Sequence, residues 1–185
     1  MRLRILPHQI DRILGGRYHH LHHRLLGVEL SDRAIEPIHR HIYYVDARDP
    51  MGRLLIRDNT PAKCLYHSGE IFCLYDERIP LTETRLVHEF IHRVARRRVF
   101  FRWSSGLDRH HRYTLLNEAV TEYLTSRVIG SRYNTLCDPR NSYLPFLAAI
   151  SKIEQKTGCL PFVQAYLNGN IRFFQRFKRE LDGLL

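Results

Sequence analysis

Apolar residues follow two rhythms along the chain. Before residue 80 they come in short runs bounded by turn-forming residues, and after it they recur every three or four positions. The first rhythm predicts strands and the second predicts helices. Residues 3–26 are an exception, because Ile10, Ile13, Leu14, Leu21, Leu25 and Leu26 sit at helical spacing around Gly15 and Gly16. Two short helices are expected there. Ile42 to Val45 reads as a strand that ends in turn residues 46–50, and residues 53–57 read as a second strand. Residues 62–75 read as a hairpin looped at Ser68-Gly69, with His67 opposite Glu70 and Cys64 opposite Cys73. A helix capped by Thr82 is expected to run to about Arg98, followed by a polar loop over 103–109. Further helices are expected over 112–129 (stopped by Gly130), 143–157, 160–167 and 171–184. Strands first and helices afterwards predict an α+β fold in one domain. Its parts would be an N-terminal helical segment (1–40), a β-rich part (41–79), a helical pair (80–130) and C-terminal helices (131–185).

Composition narrows the class. The chain has 185 residues, 44% hydrophobic and 26% charged, which is globular. That length buries a core without disulfides. No apolar run reaches the roughly 18 residues of a membrane span, and residues 1–7 lack the apolar stretch of a secretory signal, so a cytoplasmic location is expected. None of Cys64, Cys73, Cys137 and Cys159 forms a C-x-x-C pair, which excludes a zinc ribbon or a thioredoxin-type motif. A Cys64–Cys73 disulfide fits the expected hairpin, but two free thiols suit a reducing compartment better. The formal charge is +10, carried by 25 Arg and only 4 Lys, a bias that base composition of the coding sequence can produce. Charge alone names no partner.

The 12 histidines carry sharper information. His88-Glu89-Phe90-Ile91-His92 is an H-E-x-x-H sequence inside the expected helix. Positions i and i+4 lie one turn apart on one face, so two imidazoles can reach one zinc at about 2.0–2.1 Å each. Glu89, rotated off that axis, can serve as general base for an activated water. Val87, Phe90, Ile91 and Val94 supply an apolar face that would bury the helix. A catalytic zinc needs a third protein ligand. The next helix carries Asn117-Glu118-Ala119-Val120-Thr121-Glu122, with Glu118 and Glu122 again at i and i+4.

These two motifs together resemble the gluzincin, thermolysin-like zinc metallopeptidases over about residues 70–130. The resemblance implies a zincin-like fold: a small twisted antiparallel or mixed sheet, an active-site helix, a glutamate helix and C-terminal helices. It also implies one Zn2+ per chain held by His88, His92 and Glu118, with Asn117 and Glu122 behind the ligands. Glu89 would be the catalytic base in hydrolysis of a peptide or protein substrate. The family further uses a strand edge to pair with an extended peptide, for which Glu70 to Tyr75 is one candidate and an interior strand the alternative. It needs a donor for the tetrahedral oxyanion, with His110, His111, Tyr113, Tyr123, Tyr133 and Tyr143 as candidates. The gap from His92 to Glu118 is longer than in thermolysin, and no metzincin continuation follows His92.

Two other readings stay open. SprT-like proteases, which act near DNA, place a third histidine at a similar distance, so His110 or His111 could replace Glu118. Arg93, Arg96, Arg97, Arg98 and Arg102 would then contact phosphates, with Phe100, Phe101 and Trp103 stacking on bases. Nucleic acid is nevertheless not the favoured partner, because cations at a helix C-terminus need no ligand to explain them. The second is a non-catalytic, zinc-stabilised interaction module. The tract His19-His20-Leu21-His22-His23 reads as the wet face of a helix.

Overall fold

A computed structural model of the chain describes residues 3–4, 42–74, 83–99, 102–108, 113–129, 143–182 and 184. Strand β1 (Leu3–Arg4) is followed by β2 (Ile42–Val45), helix α1 (Pro50–Arg57), β3 (Ala62–Cys64) and β4 (Ile71–Leu74). Helix α2 (Glu83–Val94) leads into a hairpin of β5 (Arg96–Val99) and β6 (Arg102–Ser105). Helices α3 (Thr114–Ile129), α4 (Leu144–Thr157), α5 (Cys159–Leu167) and α6 (Ile171–Gln175) complete a mixed α+β architecture. No helix among the described residues is long and apolar enough to cross a membrane.

The larger sheet has strand order β1-β2-β4-β3. β2 and β4 run parallel, Ile42 opposite Ile71 and Val45 opposite Leu74, while β1 and β3 are antiparallel to their neighbours. A parallel pair needs a crossover, and α1 provides part of it. Residues 53–57 are therefore helix, not the expected strand. The cause is local: Asp49 caps the helix by accepting from Met51 N at 2.7 Å, and Pro50 occupies the first turn, where its missing N–H costs nothing. Gly52 lets α1 lie on the preceding turn, since a Cβ there would fall 1.8 Å from the Asp46 carbonyl oxygen.

Both faces of the sheet are covered. Val45, Leu55, Phe72 and Leu74 form a small apolar cluster beneath α1. On the other face Ile42, Ala62, Cys64, Ile71 and Cys73 pack with Leu86, Val87, Phe90 and Ile91 of α2 in the main core. All of β4 is buried, as its continuous apolar run requires.

The hairpin register differs from the expected one. Cys64 lies opposite Ile71 and Ala62 opposite Cys73, because the strands close at Leu65 and Glu70 around a four-residue turn rather than at His67 and Glu70. The two cysteines become diagonal neighbours and are free, buried thiols. Helix α2 also ends earlier than expected. Ser105 Oγ donates to the His92 carbonyl at 2.6 Å, and Gly106 N donates to the Ala95 carbonyl at 3.0 Å. The returning strand thus satisfies carbonyls that further helix would otherwise need to satisfy. Residues 96–98 consequently form β5, and 103–105 belong to β6 rather than to a loop.

α3 is buried on nearly every side, from Leu116 and Asn117 through residues 119–126 apart from the half-buried Glu118. It lies between α2 and α4. Phe162, Tyr166 and Phe174 are fully buried beyond it, each contributing roughly 1.5–3 kcal/mol by leaving water. The last helix stops at Gln175, and turns replace helix over 176–182, short of the expected 184. Of residues 3–26, where two helices are expected, Leu3 and Arg4 pair with β2 as strand instead; the rest of that segment, the Thr82 cap, the Gly130 stop and Cys137 lie outside the described residues.

Candidate metal centre

His88 and His92 sit one turn apart on α2 with ring centroids 4.8 Å apart, and both are almost wholly buried. Their Nε2 atoms approach to 3.1 Å. Glu118 of α3 places its Oε2 3.1 Å from His88 Nε2 and its Oε1 3.2 Å from His92 Nε2. Ligand atoms on one tetrahedral ion at about 2.05 Å would stand about 3.3 Å apart. The three side chains thus have the spacing of a shared coordination sphere, and together they could hold a metal ion. Two imidazole nitrogens and a carboxylate oxygen suit a divalent transition ion of intermediate softness.

The outer groups support this assignment of atoms. Glu122, one turn after Glu118, accepts from His88 Nδ1 at 2.9 Å. In the neutral ring that bond puts the proton on Nδ1 and leaves the Nε2 lone pair facing inward. Ser105 Oγ lies 3.4 Å from His92 Nδ1 and plays the corresponding part for the second ring. Burial favours neutral His88, but its hydrogen bonds to the Glu118 and Glu122 carboxylates and the charges of Glu118 and Glu89 outweigh it and hold the ring up at about 9. Burial also opposes ionisation of Glu118, yet the two imidazoles keep its pKa well below the usual carboxylate range. The site therefore attracts positive charge, a proton or a metal ion.

Glu89 lies beside this cluster. One of its oxygens accepts from Cys64 N at 2.7 Å, and the other faces Arg85 Nε at 3.2 Å. Arg85 is braced in turn by Thr60 Oγ1 at 2.7 Å. A cleft of about 800 Å³ opens over these groups. β3 lines it with Ala62 and Cys64, continued by Tyr66; α2 contributes Arg85, Glu89 and His92; Asp108, Thr114 and Glu118 form the far wall.

The remaining sequence candidates divide. Asn117 does not touch a ligand; its Oδ1 accepts from Leu107 N at 2.9 Å and ties the turn after β6 to α3. Tyr113 and Tyr143 do not line the cleft, and Tyr143 packs against the main core. Tyr123 donates its hydroxyl to Glu154, away from the site. His110, His111 and Tyr133 lie outside the described residues. The strand over Glu70 to Tyr75 contains β4, which is interior, whereas the edge facing the cleft is β3. Tyr66, Arg85, Ser105 and Asp108 are site neighbours absent from the sequence reading. Arg85 stood at i−4 from Glu89 and could have been found; the others arrive only through tertiary folding.

No protein-family model matches the chain, and no curated protein or solved structure is significantly similar to it.

Proposed function

We propose that the chain is a zincin-like, gluzincin-type metallopeptidase that uses one zinc ion to hydrolyse a peptide bond. The observation that carries this reading is the meeting of His88 Nε2, His92 Nε2 and the Glu118 carboxylate within 3.1–3.4 Å of one another, with no proton donor among them except a protonated ring. Zinc held by these three residues would supply Lewis acidity to a carbonyl and lower the pKa of water toward about 7. Glu89 takes the proton of the attacking water and passes it to the leaving amine. Cys64 N–H and Arg85 fix the Glu89 carboxylate at the cleft floor.

The edge of β3 suits a peptide or protein substrate. Alternate residues of an antiparallel edge strand point their backbone groups outward. On this edge Cys64 N–H serves Glu89 and the Ala62 carbonyl serves Thr60 Oγ1. Ala62 N–H and the Cys64 carbonyl are left to pair with an extended substrate chain. The free buried thiols Cys64 and Cys73 suit a reducing, cytoplasmic setting.

The test is direct. The purified chain should carry about one zinc by elemental analysis, and an anomalous-scattering map should show Glu118 as third ligand. Glu89→Gln should keep the metal while lowering peptide hydrolysis by roughly 10²–10⁴-fold. Unchanged hydrolysis in that variant would refute the mechanism. Metal retention with no cleavage of any substrate by the wild type would leave the zinc-stabilised module instead.

A further inference from the structure

Hydrolysis through this site needs a donor for the carbonyl oxygen as it becomes negative, and none of the described sequence candidates lines the cleft. We propose that Tyr66 is that donor and that Arg96 and Arg93 are the positioning residues that hold it; this rests on the peptidase reading above.

Tyr66 opens the turn after β3. Its ring lies 5.7 Å from the ring of His92, tilted by 51°, and it lines the cleft with Glu89, His92 and Glu118. The neighbouring tyrosine hydroxyls are engaged, Tyr166 with Thr121 at 2.6 Å and Tyr123 with Glu154. The Tyr66 hydroxyl has no hydrogen-bond partner among the described residues. A phenol is an ordinary neutral O–H donor near pH 7.

The turn carrying Tyr66 is gripped by the helix end that carries His92. Arg96 Nε donates to the Tyr66 carbonyl at 2.6 Å, and its Nη2 donates to the His67 carbonyl at 2.8 Å. Arg93, next to His92, donates to the Gly69 carbonyl. Gly69 has φ +72°, and a Cβ there would lie 2.7 Å from Arg93 Nη1 and 2.9 Å from Arg96 Nη1. The positive φ favours glycine here, and a side chain would also have to push the guanidinium ends aside. Two arginines of the basic run thus set the distance between phenol and metal ligand, and their guanidiniums have work other than phosphate contact.

In the step itself a bond forms from the water oxygen to the carbonyl carbon, and the C=O π pair moves onto oxygen. Glu89 accepts the water proton, while Tyr66 O–H donates a hydrogen bond to the new oxyanion and keeps its own proton. On collapse the pair returns, the C–N bond breaks, and the proton on Glu89 goes to the amine.

The experiment uses the zinc-loaded full chain and acetohydroxamate, a small probe whose carbonyl oxygen stands in for the reacting one. Zinc affinity, by chelator competition, should stay within about 2-fold in Tyr66→Phe, while acetohydroxamate binds roughly 10-fold more weakly. Arg96→Ala should show a similar loss, Arg96→Lys should recover part of it, and the double variant should be no worse than Tyr66→Phe alone. On a cleaved peptide, kcat should fall about 10²-fold in Tyr66→Phe with KM little changed. Wild-type acetohydroxamate binding in Tyr66→Phe overturns the assignment while leaving the peptidase reading intact. A wild-type chain that binds neither zinc nor acetohydroxamate overturns that reading, and the assignment with it.

Discussion

Helix α3 carries two buried polar clusters on different faces. Glu118 and Glu122 meet His88 and His92 of α2, whereas Tyr123 and Arg127 meet Glu154 of α4. Both pairs are spaced i, i+4, and both place a carboxylate out of water. Their accounts of donors and acceptors differ. At Glu154 a hydroxyl and a guanidinium donate to one carboxylate, so the cluster closes on itself. At the other end the two Nε2 atoms and the Glu118 carboxylate converge as acceptors once Glu122 has fixed the His88 proton on Nδ1. That cluster closes only around an added cation. Spacing and burial alone therefore do not separate a structural ion pair from a metal centre; the proton count does.

The largest consequence is that metal should stabilise the chain through one cluster alone. Zinc free at a thousand times its dissociation constant should add about 4 kcal/mol, raising Tm by roughly 8–16 °C for a chain of this size. His92→Ala should abolish that shift in thermal scans. A full shift in that variant would mean the ion binds elsewhere and would break the comparison.

Glu154→Ala should do the reverse. It removes the acceptor that the Arg127 guanidinium and the Tyr123 hydroxyl share, at a cost of about 2–3 kcal/mol, reduced from a fully buried pair because the Arg127 side chain is 34% exposed. Denaturant unfolding should report that loss while chelator competition shows the zinc affinity unchanged. Weakened zinc binding would mean that the two faces of α3 are coupled.

The two clusters were not equally readable in the sequence. His88, Glu89 and His92, then Glu118 and Glu122, reveal themselves because a helix turns spacing into geometry. Helices α2 to α5 were readable for the same reason, and only their ends moved. Tyr66 and Ser105 come to the site from a turn and a hairpin strand, with no periodicity linking them to His92. β5 was hidden because a run of arginines after a helix looks like more helix until Ser105 is seen to satisfy the His92 carbonyl. α1 was hidden because Asp49-Pro50 serves equally as a turn and as a helix start, and only the Met51 N–H bond to Asp49 decides. The hairpin register turned on turn length, a four-residue loop in place of two, and that shift alone separated Cys64 from Cys73.

Within the metal cluster the two histidines should respond unequally to loss of their outer partners. Glu122→Gln keeps the shape but removes the charge behind His88, and should weaken zinc binding by about 10–100-fold. Ser105→Ala removes the group behind His92 and should weaken it only a few-fold, with roughly 1 kcal/mol lost from the fold. The difference follows from geometry. The Glu122 carboxylate stands 2.9 Å from its imidazole and carries a full charge, whereas the Ser105 hydroxyl stands 3.4 Å away and spends its own proton on the His92 carbonyl at 2.6 Å. Chelator competition across both variants gives the ratio directly. Equal losses would mean that Ser105 holds the ring as firmly as a carboxylate does, and that the His92 bond shortens once the metal is bound.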